Sequence, residues 1–163
     1  MQIGVSRSAM EAVRSIAVRN RRMLDLTRRL RRLVGDEYAL GAIVPDPVTQ
    51  RYWPRFPWRA VAKRFDVVLP MSYWTFHSRG EAAVYRHARE SLRSIRGRSR
   101  DRSVPIHLIG GLASHASVTE VRGFARAAVD FGAAGASLYD APITRSGQWR
   151  QMAALGPSRS EFQ

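Results

Sequence analysis

Four short apolar runs alternate with segments of helical pattern along this chain, and that alternation constrains its fold more than any other feature. The runs are "YALGAIVPDP", "DVVLPM", "PIHLIGG" and "GASLYD". They are strand-sized, with few polar interruptions, as expected of parallel strands covered on both faces. The segments after them, "WRAVAKRF", "GEAAVYRHARESLRSIR", "SVTEVRGFARAAVDFG" and "GQWRQMAAL", read as helices. In the second of these, Ala83, Tyr85, Ala88, Leu92 and Ile95 are available for the buried side. The third opens on Ser117 with Glu120 three residues later, the signature of a capping box. Ahead of them all, residues 7 to 34 read as one long helix, because Ile16, Met23, Leu26, Leu30 and Leu33 recur at helical spacing until Gly35 and Asp36 stop it. Alternating strand and helix predict an α/β chain with a parallel sheet.

At 163 residues, 45% hydrophobic and 25% charged, the chain is expected to form one domain. Its parts are a leading helix over 1–37, four βα units over 38–155 and a frayed tail over 156–163. The sequence contains no Cys, which excludes a disulfide framework and a thiolate metal site. No apolar run approaches the ~20 residues of a membrane span, and the N-terminus lacks the apolar core of a signal peptide. As written, the chain is expected to be cytoplasmic, without a membrane partner. The net charge of +14 admits two readings. Lys63 is the only Lys, and the Arg residues are scattered along the whole chain, which fits a compositional bias of the source genome. The segment "RNRRMLDLTRRLRRL" fits an Arg-rich module that binds nucleic acid, the alternative to the function below.

The series "LGAIVPDP", "FDVVLPMSYW", "PIHLIGGLA" and "GAAGASLYD" resembles the last four strands of the (β/α)8 barrel in glycoside-hydrolase-like proteins, from about Tyr38 to about Leu155. A complete barrel has eight strands. The resemblance therefore implies four βα units of a TIM-like barrel, a half-barrel preceded by one long N-terminal helix. It implies carbohydrate binding or hydrolysis in a full-length parent, with a chain inactive alone. The half-barrel is expected to close against a second copy as a homodimer or against a missing N-terminal half. An exported parent, its signal lying upstream, is compatible with the resemblance. A truncated gene product without its own function is the third reading.

In such barrels the substrate lies at the C-terminal ends of the strands, and those ends carry Asp46, Tyr73, Trp74, His77, Gly110, Gly111, Tyr139 and Asp140. Tyr73 and Trp74 are expected to form a platform on which a sugar face stacks, with His77, Tyr139 and Asp140 as further substrate contacts. Glycoside hydrolysis needs two carboxyl groups. Asp46 and Asp140 follow predicted strands and are the candidates, although Asp46 between two prolines also reads as a turn residue, and Asp140 as a helix cap or the partner of an Arg. Asp66 precedes its strand, where a stability role is expected. The aromatics of "RYWPRFPW" line a groove or cover a loop. His107, inside a strand, is expected to be packed and hydrogen-bonded. Gly110 and Gly111 allow a tight turn or a close backbone approach. His87 and His115 show no metal-ligand spacing, and neither a phosphate loop nor a nucleophile elbow occurs, so no metal and no cofactor are expected.

Overall fold

The structure is a computed structural model that describes residues 7–49 and 53–156, with side chains from residue 11 onward. Apart from Gly156, the tail lies outside the described residues, as do residues 50–52 of the aromatic loop. The chain is mixed α/β. Helix α1 (Arg7–Val34) is followed by β1 (Gly41–Val44), α2 (Trp58–Ala62), β2 (Val67–Pro70), α3 (Glu81–Ser99), β3 (His107–Leu112), α4 (Val118–Asp130), β4 (Gly135–Tyr139) and α5 (Ser146–Met152).

All strand pairs are parallel. β1 pairs with β2, placing Ile43 opposite Leu69, and β3 pairs with β4, placing His107 opposite Gly135. The bridges Val68–Ile106 and Met71–Ile109 join these two-stranded sheets, so the strands lie in chain order. The connecting helices pack against one another in turn, α2 on α3 and α3 on α4, so they lie on one face of the strands. Burial follows that geometry. Ala42, Val44, Val68 and Leu108 point into a core shared with Val84, Leu92, Ile95, Val121 and Phe124. Fully burying one of these larger side chains contributes about 1.5–3 kcal/mol.

The other face is open. Ile43 is 66% exposed, and Val67, Leu69, His107 and Ile109 are only half-buried. The strands are therefore covered on one face and not on both. Apolar runs of this length do not distinguish the two cases, because an open apolar face and a covered one have the same composition.

Local signals explain the element ends. Gly35 stops α1 at φ +79°, in the left-handed region that glycine enters without a steric penalty. At the start of α4 the Glu120 amide donates to Ser117 Oγ at 3.2 Å while the Ser117 amide donates to Glu120 Oε2 at 2.8 Å, completing the expected capping box. Burial alone would raise the Glu120 pKa, but the Ser117 and Gly80 amides at its carboxylate bring it below the ordinary value. In α3 the buried face is Val84, His87, Ala88, Ser91, Leu92 and Ile95, while Ala83 and Tyr85 sit half-buried at its edge.

At the N-terminal end of the strands, Arg31 of α1 donates to Asp66 Oδ2 at 2.7 Å, and the Leu40 amide donates to the same oxygen at 2.7 Å. The Leu40 amide and the Arg31 guanidinium hold the Asp66 carboxyl below its ordinary range. Asp66 thus ties the leading helix to the start of β2, in keeping with a stability role.

Candidate functional site

The segment after β2 splits the expected aromatic platform in two. The chain leaves β2 after Pro70, Tyr73 turns outward, and a short 3-10 turn over Trp74–Phe76 carries the next ring inward. Trp74 is 0% exposed, and its ring lies 4.5 Å from that of Phe124, centroid to centroid. A Cβ added at Gly110 would lie 2.4 Å from Trp74 Cζ3, and one at Gly111 would lie 2.9 Å from Trp74 Cε2. The Gly-Gly pair of β3 therefore clears the volume that the indole fills. This corrects the expectation for Trp74: a ring enclosed on all sides cannot stack on a sugar.

Tyr73 remains at the surface, half-buried, with its ring centroid 5.8 Å from that of Tyr139 at the end of β4. Burial, and then the neighbouring Tyr139, raise the Tyr73 hydroxyl above its ordinary pKa. Phe76 is 65% exposed, and His77 lies beside it with ring centroids 6.3 Å apart. A cleft of about 260 Å³ opens here, lined by Asp46, Thr49, Met71, Tyr73, Phe76 and His77. The strand ends thus bring together Asp46, Tyr73 and His77 of the expected residues, with Tyr139 ring-paired to Tyr73. Thr49, Met71 and Phe76 are additions. No sequence signal marks Thr49, and Phe76 sits in the quoted aromatic stretch without being distinguishable from a core residue.

The candidate carboxylates differ sharply. Asp46 is buried, and its Oδ1 accepts from the Val48 amide at 3.0 Å while Oδ2 accepts from the Thr49 hydroxyl at 2.7 Å. His87 Nε2 of α3, also buried, lies 3.2 Å from the same Oδ2, at ion-pair distance but without hydrogen-bond alignment. Burial alone would raise the Asp46 pKa, yet the His87, Thr49 and Val48 contacts outweigh it and hold the carboxyl below its ordinary value. A carboxyl held below its ordinary pKa suits the ionised partner of a glycosidase pair and not the general acid. Asp46 also joins the loop after β1 to helix α3, as expected of a turn residue, while lining the cleft. Asp140 is exposed and stands at the N-cap of a 3-10 turn over Ala141–Ile143, but its carboxylate caps nothing there.

The loop aromatics meet both expectations: Phe56 and Trp58 are buried with ring centroids 4.7 Å apart, and together with Trp53 and Arg98 they line a cleft of about 320 Å³, while Tyr52 lies outside the described residues. His107 Nε2 lies 3.1 Å from Ser137 Oγ on the open face, and burial lowers its pKa. Among the described residues no three His, Asp or Glu side chains gather at metal-binding distance, and no helix is long and apolar enough to cross a membrane. The chain matches no protein-family model, no curated protein and no solved structure.

Proposed function

We propose that the C-terminal rim of the sheet binds a carbohydrate, as one half of a (β/α)8-type wall, with Tyr73 and Tyr139 as the stacking rings in place of Trp74. The observation that carries this reading is the pairing of two surface tyrosines from the ends of different strands beside a cleft that offers a third ring, Phe76, with Thr49 and His77 as polar groups. An aromatic face covers the C–H patch of a pyranose, and hydroxyl and imidazole groups meet its hydroxyls. Four parallel strands in chain order with helices on one face support the half-wall. Hydrolysis is reserved for an assembly with eight strands, because the two candidate carboxylates sit in unlike places, Asp46 buried against His87 and Thr49 and Asp140 exposed.

The test is calorimetric titration of the purified chain with soluble xylo-, cello-, malto- and chito-oligosaccharides. One series should bind with little dependence on salt, and Tyr73→Ala should weaken it about tenfold, in line with the ~1–3 kcal/mol lost when a stacking ring is removed. Absence of binding to every series, or binding unchanged in Tyr73→Ala and Tyr139→Ala, rules the reading out.

A further inference from the structure

Helix α1 poses a separate question, because only the N-terminal part of the stripe that makes it helical is used to bury it. Five of its apolar positions form two interleaved seven-residue series, Ile16, Met23 and Leu30 with Leu26 and Leu33, the a and d positions of a heptad. Arg19 holds the remaining d position, and its guanidinium stacks 4.3 Å above the Trp53 ring. The N-terminal part of the seam is thus engaged with the body, where Asn20 also accepts from Trp53 Nε1 at 2.7 Å and Met23 packs against the core. The C-terminal part is free: Leu26 is 66% exposed, Leu30 38% and Leu33 84%.

The charge around that free seam is one-sided. The helix carries nine arginines against two acids, Glu11 and Asp25. Asp25 is paired with Arg28, whereas Arg22 and Arg29, the g positions beside the leucines, make no ion pair among the described residues. Thr27 and Val34 hold the e positions. A second copy docked antiparallel would bring Arg22 and Arg29 against their own counterparts. Docked parallel, it would set them against uncharged Thr27 and Val34, so no attraction offsets the charge of two basic helices. The three exposed leucines span an arc of only about 60° at 100° per residue. That is the narrow strip of a helix–helix seam and not the broad sector, about 100° or more, of a wide apolar face.

We propose that the outer seam of α1, Leu26, Leu30 and Leu33 with Arg22 and Arg29, is a docking site for an amphipathic helix of another protein that carries apolar a and d positions flanked by Glu or Asp. Leucines on the partner would fill the spaces between the three leucines here, and its carboxylates would face the two free guanidinium groups.

The probe is a dye-labelled synthetic peptide of about three heptads with Leu at a and d and Glu at e and g, titrated with the full chain and read by fluorescence anisotropy. The wild-type chain should bind it. Leu33→Asp, at the most exposed of the three positions, should weaken binding about tenfold or more while circular dichroism shows the fold unchanged. The double variant Arg22→Glu, Arg29→Glu should act similarly, and raising salt from about 50 to about 500 mM should weaken the wild-type complex several-fold. The proposal is overturned if the wild-type chain does not bind the peptide, or if Leu33→Asp binds it as well as wild type does. It is equally overturned if phosphatidylserine vesicles or duplex DNA capture the chain and the peptide does not. Self-association that Leu33→Asp abolishes would show a second copy on the seam and would also overturn it.

Discussion

Helices α4 and α1 carry the same kind of amphipathic pattern and meet opposite fates. In α4 the stripe of Val121, Phe124, Ala125 and Ala128 is closed off by the helices on either side and by the sheet beneath, leaving each residue at most 2% exposed. In α1 Leu26, Leu30 and Leu33 point past the body, and besides Met23 against the core the helix is held by polar and cationic contacts: Arg31 to Asp66, Asn20 to the loop around Trp53, and Arg19 over the Trp53 ring. Periodicity tells which way a stripe points. Whether anything covers it depends on a second element that the pattern does not name.

The sharpest way to break this comparison is to remove a side chain from the covered region. Trp74→Ala should cost about 3–5 kcal/mol of stability in urea unfolding, the range for deleting a fully buried aromatic. A loss below about 1 kcal/mol would return Trp74 to the rim as a stacking ring. Gly110→Ala should cost about 1–3 kcal/mol by overpacking against the same indole.

Next in size is the buried clamp at Asp46, where Asp46→Asn should cost about 1–2 kcal/mol at neutral pH by weakening the contacts with His87 and Thr49. Because the folded-state pKa of Asp46 lies below its unfolded value, its contribution is complete above about pH 4 and drains away as the pH falls through the folded value. Wild type should therefore lose its advantage over Asp46→Asn in acid, and acid-unfolding curves that stay parallel down to about pH 2 would show that the clamp contributes nothing. The smallest effect belongs to the open region: Leu33→Gln should change stability by no more than about 0.5 kcal/mol, as for a surface substitution. A larger loss would mean that the end of α1 is covered in solution.

Much of the architecture is legible in the sequence. The long helix over 7–34, the short strands after Tyr38, Asp66, Val104 and Ala134, and the capping box at Ser117 all follow from local pattern, because caps, glycine stops and strand-length apolar runs act over a few residues. The site was legible only in part. Tyr73 and Trp74 are adjacent aromatics with similar sequence surroundings. What separates them is a pair of glycines on the next strand, and no signal near residue 74 points there. Asp46 between prolines reads first as a turn residue and second as a candidate for chemistry, and nothing near it in the sequence points to His87, the helix residue 41 positions away that packs against it. Single-face coverage of the sheet was likewise hidden, since Ile43 would be equally apolar under a helix or in the open.

The contact between Trp74 and the two glycines of β3 also says how this region can vary. Positions 74, 110 and 111 occupy one volume between them, so they behave as a single site that happens to be written in two places in the chain. A change at one needs room from more than one neighbour: a side chain at 110 meets Phe124 as well as the indole, and one at 111 meets Thr75 as well as the indole. Relatives of this chain should therefore change these three positions together, and a gene library varying them jointly should yield folded combinations that no series of single substitutions reaches.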